Sequence, residues 1–96
     1  MGTVPIGEVG RTVGDNIALV RNARGLTYAE LARRVCAAGH RPIPTLALAR
    51  VEGHARRVDV DDLVALADVL GVPPAALLRP AVASITVELA EPGETP

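Results

Sequence analysis

The sequence contains no phenylalanine, no tryptophan and a single tyrosine, Tyr28. A core assembled without aromatic rings is one of aliphatic contacts, which suits a small helix bundle, and the abundant alanine and leucine favour helix. Lysine is absent as well: all ten basic residues are arginine, a bias that a GC-rich genome alone would produce. A single cysteine, Cys36, excludes an internal disulfide, fits a cytosolic location and reads as a small buried residue. The only histidines, His40 and His54, have no cysteine or carboxylate at ligand spacing, so no metal site is expected. The glycines form neither a G-x-G-x-x-G fingerprint nor a phosphate loop. No serine has a plausible base beside it, and Asp59, Asp61 and Asp62 read as caps and surface rather than as a catalytic pair. The expectation is a protein that is not an enzyme and takes no cofactor.

No window approaches the roughly 18 uninterrupted apolar residues of a membrane span. The opening MGTVPIGEVGRTVGDN lacks the basic region and apolar run of a secretory signal. A cytoplasmic location away from the membrane is expected.

The 96 residues suffice for one domain with one small core. The net charge of -1 conceals an asymmetry. Residues 1–57 hold nine arginines against Glu8, Asp15, Glu30 and Glu52, a balance of +5, whereas residues 58–96 hold Arg79 against seven carboxylates, a balance of -6. A basic half on so small a domain suggests a face meant for a polyanion.

Residues 1–12, with Gly2, Pro5, Gly7 and Gly10, read as an N-terminal arm. A first helix is expected over about Val13 to Arg24. Thr12 and Asp15 stand at capping-box spacing, Val13, Ile17 and Val20 form one apolar stripe, and Gly25 stands just past the end. Thr27 and Glu30 form a full T-x-x-E box opening a second helix, with Leu31, Ala32 and Val35 inward, Arg33 and Arg34 outward, and Gly39 at its end. GHRPI, residues 39–43, is a turn. Pro44 suits the first position of a third helix running to Glu52, with Leu48 and Val51 toward the core and Gly53 ending it.

Asp59 opens a fourth helix with the stripe Leu63, Leu66, Ala67 and Leu70, closed by Gly71. Pro73 and Pro74 begin a short fifth, with Leu77 and Leu78 packing back and Pro80 stopping it. Ser84 to Leu89 alternates apolar and polar like a strand. Such a strand pairs with its copy in a second subunit, with the N-terminal arm, or with nothing. The tail EPGETP follows. The organisation is therefore arm 1–12, helical domain 13–79, and strand and tail 80–96, an all-α fold with a short C-terminal strand.

Five short helices in this order, carried by NIALVRNARGLTYAELARRV and then LARVEGHARRVDVDDLVALADVLGV, resemble the Cro/repressor-type (XRE) helix-turn-helix family over about Val13 to Leu78. The alanine-rich, arginine-only style is similar to its actinobacterial branch. The resemblance implies a compact five-helix, repressor-like domain that binds double-stranded DNA in the cytoplasm and regulates transcription, most simply as a repressor. It implies a partly buried ion pair between Arg21 and Glu52. Thr45, Leu46, Ala49 and Arg50 stand at its groove-facing positions, and Tyr28, Arg56 and Arg57 at its phosphate-contacting ones. Two departures stand out: the segment from Leu31 to Glu52 is roughly six residues longer than the pattern, which either extends the second helix or enlarges the turn, and the groove-facing set is poor in hydrogen-bonding groups.

In chemical terms Arg50 suits guanine, Thr45 a base or a phosphate, and Leu46 and Ala49 a thymine methyl. Arg41, Arg56, Arg57 and the Tyr28 hydroxyl would set register on phosphates, although Tyr28 could equally pack against the turn. A homodimer, joined through Ser84–Leu89, is expected on half-sites about 34 Å apart. An antitoxin-like or adaptor role, in which the acidic half grips a protein partner, is the competing reading.

Overall fold

A computed structural model of the chain describes residues 5–80. It is all-α, with α1 at Glu8–Ala23, α2 at Tyr28–Ala37, α3 at Thr45–Glu52, α4 at Val60–Leu70 and α5 at Pro74–Leu78. The expected strand, Ser84–Leu89, lies outside the described residues.

Local chemistry sets most of these boundaries. The Thr27 hydroxyl accepts the Glu30 amide at 3.0 Å while the Glu30 carboxylate accepts the Thr27 amide at 2.8 Å, so α2 opens with both halves of a capping box. Asp59 caps α4 by accepting the Asp62 amide at 2.8 Å. Both residues hydrogen-bond more strongly as anions, so the carboxyls of Glu30 and Asp59 titrate below their ordinary range.

The first helix departs from expectation. It begins at Glu8 behind Gly7, which offers no side-chain cap, and Thr12 lies within it. The extra turn is held from outside: the Arg11 guanidinium donates to the Ile6 carbonyl at 2.7 Å, and Ile6 packs over Gly10, where a Cβ would collide with it. Pro44 is the residue before α3, in extended geometry, not its first residue. Cys36 is exposed, because it falls on the outer side of a helix whose buried residues are Leu31 and Val35. In α5 the inward pair is Ala76 and Leu77, while Leu78 is 44 % exposed. At about 100° per residue the buried arc centres between Ala76 and Leu77, and Leu78 points roughly 150° away from that centre.

The core collects Val13, Ile17 and Val20 of α1, Leu31 and Val35 of α2, Ala47, Leu48 and Val51 of α3, and Leu66, Ala67 and Leu70 of α4, with Leu77 beneath. α1 packs on α3, α4 and α5, and α2 on α3 and α4, so α1 and α2 hold α3 from two sides. α1 and α3 approach closely because Gly14 has no Cβ; one placed there would overlap the Val51 carbonyl oxygen.

One buried polar group is built into this core. Asn16 is fully buried, and its amide donates to the carbonyls of Leu77 at 2.9 Å and Arg79 at 2.6 Å, with a longer contact to Ala76 at 3.4 Å. It satisfies the orphan carbonyls at the end of a five-residue helix too short to be stable alone. Arg24 does the same for α4, donating to the Leu70 carbonyl at 3.0 Å.

Candidate nucleic-acid interface

α2 and α3 are joined by residues 38–44, so the additional residues enlarge the turn and leave α2 at ten residues. The turn is pinned by Ile43, 4 % exposed, and by the α2 end, where the amides of Gly39 and His40 donate to the Cys36 and Val35 carbonyls. α3 therefore enters from a fixed anchor despite the longer connection.

The two faces of α3 differ sharply. Ala47, Leu48 and Val51 are buried. Thr45, Leu46 and Arg50 are exposed, Leu46 to 60 %, and Ala49 is half-buried beside them. The four residues expected to face the groove thus share the outer side of one helix.

The far end of α3 is locked to α1. The Arg21 guanidinium donates to both Glu52 oxygens, at 2.7 and 3.0 Å, and to the Leu26 carbonyl at 2.7 Å. The side chains are 13 % and 8 % exposed, so this is the expected partly buried pair. Tyr28 completes it: its hydroxyl donates to Glu52 Oε1 at 3.0 Å, and its ring lies 4.4 Å from the Arg21 guanidinium carbon. The hydrogen bonds that Arg21 donates to Glu52 raise the Arg21 pKa further, and the same carboxylate is the main reason the Tyr28 phenol titrates above its ordinary range.

The residues expected on phosphates separate into two groups. A phenol has one proton to give, and that of Tyr28 is given to Glu52, so in this conformation Tyr28 packs against the α3 end and has none for a phosphate. Arg41 turns toward the start of α4, donating to Asp59 at 2.8 Å and Asp62 at 3.1 Å. Arg56 and Arg57 are exposed on the loop after α3, and Arg57 donates to the Pro5 carbonyl at 2.9 Å. Among the described residues Arg50 and Arg56 enter no ion pair.

Asn16 and His54 make contacts that the sequence pattern does not foretell. Asn16 was signalled only as a polar residue beside an apolar stripe. His54, whose Nε2 lies 2.7 Å from Asp15 Oδ1, has a positive φ of 63°, and no spacing rule pairs residues 39 apart. No group of three histidine, cysteine or carboxylate side chains among the described residues could hold a metal. None of the described helices is long and apolar enough to cross a membrane.

Comparison with known proteins agrees at the level of the fold. A solved structure described as a hypothetical transcription factor, NHTF, from Neisseria superposes with a TM-score of 0.69 at 21 % identity, covering 88 % of this chain and 97 % of that one. No protein-family model matches the sequence. No curated protein matches it significantly.

Proposed function

We propose that this protein is a sequence-specific, double-stranded DNA-binding transcription regulator of the Cro/repressor (XRE) helix-turn-helix type. It acts in the cytoplasm as a repressor, covering the DNA where it binds. The observation that carries this reading is the two-sided character of α3: one face is sunk in the core and locked through Glu52, and the other presents Thr45, Leu46, Ala49 and Arg50 to the outside. A helix so held is rigid enough to enter a major groove as a unit.

In this reading Arg50 takes guanine, Thr45 a base edge or phosphate, and Leu46 and Ala49 a thymine methyl. Arg56 and Arg57 follow the phosphate backbone. Arg41 and Tyr28 keep their internal partners and act indirectly, Arg41 by tying the turn to α4 and Tyr28 by supporting the Arg21–Glu52 pair. The protein works as a two-fold dimer; Ser84–Leu89 remains the candidate dimer element.

Selection from a random duplex library at about physiological salt, where non-specific attraction is weak, tests the proposal. Two inverted half-sites should be enriched, and Arg50→Ala should lose or relax the motif. A folded wild-type protein that enriches nothing would favour the second reading, an antitoxin-like adaptor. That reading is supported by an apolar groove of about 290 Å³ lined by Val9, Val60, Leu63 and Leu78, and by the exposed carboxylates of α4, Asp61 and Asp68.

A further inference from the structure

The first four helices end in the same way. Two successive amides turn back onto the last turn: Gly25 and Leu26 after α1, Gly39 and His40 after α2, His54 and Ala55 after α3, Gly71 and Val72 after α4. The first residue of each pair must take a left-handed backbone. Three are glycines, with φ of 70°, 87° and 77°; the fourth is His54, with φ of 63°. A Cβ makes that conformation unfavourable. Yet a glycine stands one position earlier, at Gly53, whose φ of -84° any residue can adopt.

What the histidine gains is visible on α1. Its Nε2 lies 2.7 Å from Asp15 Oδ1. The ring lies against α1 where Gly14 lacks a side chain; a Cβ there would stand 3.4 Å from His54 Cδ2. At the other end of the same loop Arg57 donates to the Pro5 carbonyl just before α1. The loop carrying Arg56 is thus fastened to the α1 side at both ends.

We propose that His54 is a positioning residue for DNA: by holding Asp15 from a left-handed backbone, it fixes the direction in which the loop presents Arg56 to the phosphates. This rests on the DNA-binding reading above. Asp15 then serves recognition although, as an anion, it repels DNA.

The test compares two Asp15 variants of equal charge and adds a third variant at His54. Asp15→Asn and Asp15→Ala both remove the negative charge, but only asparagine keeps an oxygen for His54. His54→Gly keeps the left-handed backbone and removes the ring. Affinity is read by fluorescence anisotropy on the selected duplex. Asp15→Ala should bind about threefold to tenfold more weakly than Asp15→Asn, and His54→Gly more weakly than wild type by a similar factor. Arg56→Ala should cost affinity in the wild-type background and little in His54→Gly. Equal affinities within each pair overturn the proposal. If the wild type binds no duplex, the DNA reading fails separately, and NMR decides the positioning claim. The amides of Ala55 and Arg56 should then be as ordered as α3 in wild type and Asp15→Asn and less ordered in Asp15→Ala and His54→Gly; unchanged order overturns it.

Discussion

Arg21 on α1 and Glu52 at the end of α3 share two hydrogen bonds, and the Tyr28 hydroxyl shares one of the same carboxylate oxygens. Three helices thereby meet at one carboxylate. Because Tyr28 is the only tyrosine and tryptophan is absent, ultraviolet titration reports this junction alone. The phenol of the folded protein should ionise above the ordinary value of 10.0, mainly because its proton is held by Glu52, with burial acting in the same direction and Arg21 opposing. A folded pKa above the unfolded one stabilises fully below about pH 10, and that stabilisation is lost as pH rises through the folded value. Glu52→Gln should bring the midpoint back toward 10.0. It should also destabilise the fold by about 3 kcal/mol, since it strands a mostly buried guanidinium. An unchanged midpoint in Glu52→Gln would show that the negative charge on Glu52 does not raise it.

Gly14→Ala sets two effects against each other. Alanine in place of a helical glycine normally gains up to about 1 kcal/mol. Here the added Cβ falls on the Val51 carbonyl oxygen, a backbone atom that moves only if α1 and α3 separate. Overpacking of this kind costs about 1–3 kcal/mol, so thermal unfolding should show a net loss. A melting temperature at or above wild type would mean that the two helices part without cost.

Much of this fold was legible in the residues themselves. Thr27 with Glu30, Asp59 with Asp62, and Gly25 and Gly71 past their helices act through neighbours in sequence, so spacing reveals them. The stripes of α1, α2 and α4 follow from helical period alone. The start of α1 did not, because Ile6 over Gly10 and Arg11 on the Ile6 carbonyl replace a side-chain cap. That Thr45, Leu46, Ala49 and Arg50 lie on the outer side of α3 was legible from its periodicity. The engagement of Arg41 with Asp59 and Asp62, and of His54 with Asp15, depends on how separate elements pack, and local pattern carries no trace of that.

Asn16 offers a test that needs no cavity. Asp is nearly the same shape, but replaces a donor aimed at carbonyls by an acceptor. Asn16→Asp should therefore be less stable at neutral pH than Asn16→Ala, which costs about 1–3 kcal/mol for the stranded carbonyls. Protonation returns a donor. The introduced carboxyl is held above its unfolded pKa, so urea midpoints of Asn16→Asp should recover as pH falls toward about 4. A flat profile would place the side chain in solvent.

On the acid side the wild type should weaken for the opposite reason. Glu30 is depressed first by the Thr27 backbone bond, and Asp59 first by the Asp62 backbone bond, relative to ordinary values of 4.5 and 3.8. Depressed carboxylates stabilise above their unfolded values, and that contribution is lost as pH falls through the folded ones. Chemical unfolding followed from about pH 6 down to pH 2 should show this limb, and the double variant Glu30→Gln, Asp59→Asn should flatten it. An equally steep limb in the variant would assign it to other carboxylates.

Salt dependence separates the arginines. Each phosphate contact adds about 0.9 to the slope of log affinity against log salt. Arg56→Ala should lower that slope by about one and leave base preference intact, whereas Arg50→Ala should relax preference at one position by about 1–3 kcal/mol. Arg41→Ala should alter neither, because its guanidinium is already held by Asp59 and Asp62. A fall in slope for Arg41→Ala as large as for Arg56→Ala would mean that DNA draws Arg41 away from α4, and that the enlarged turn rearranges on binding.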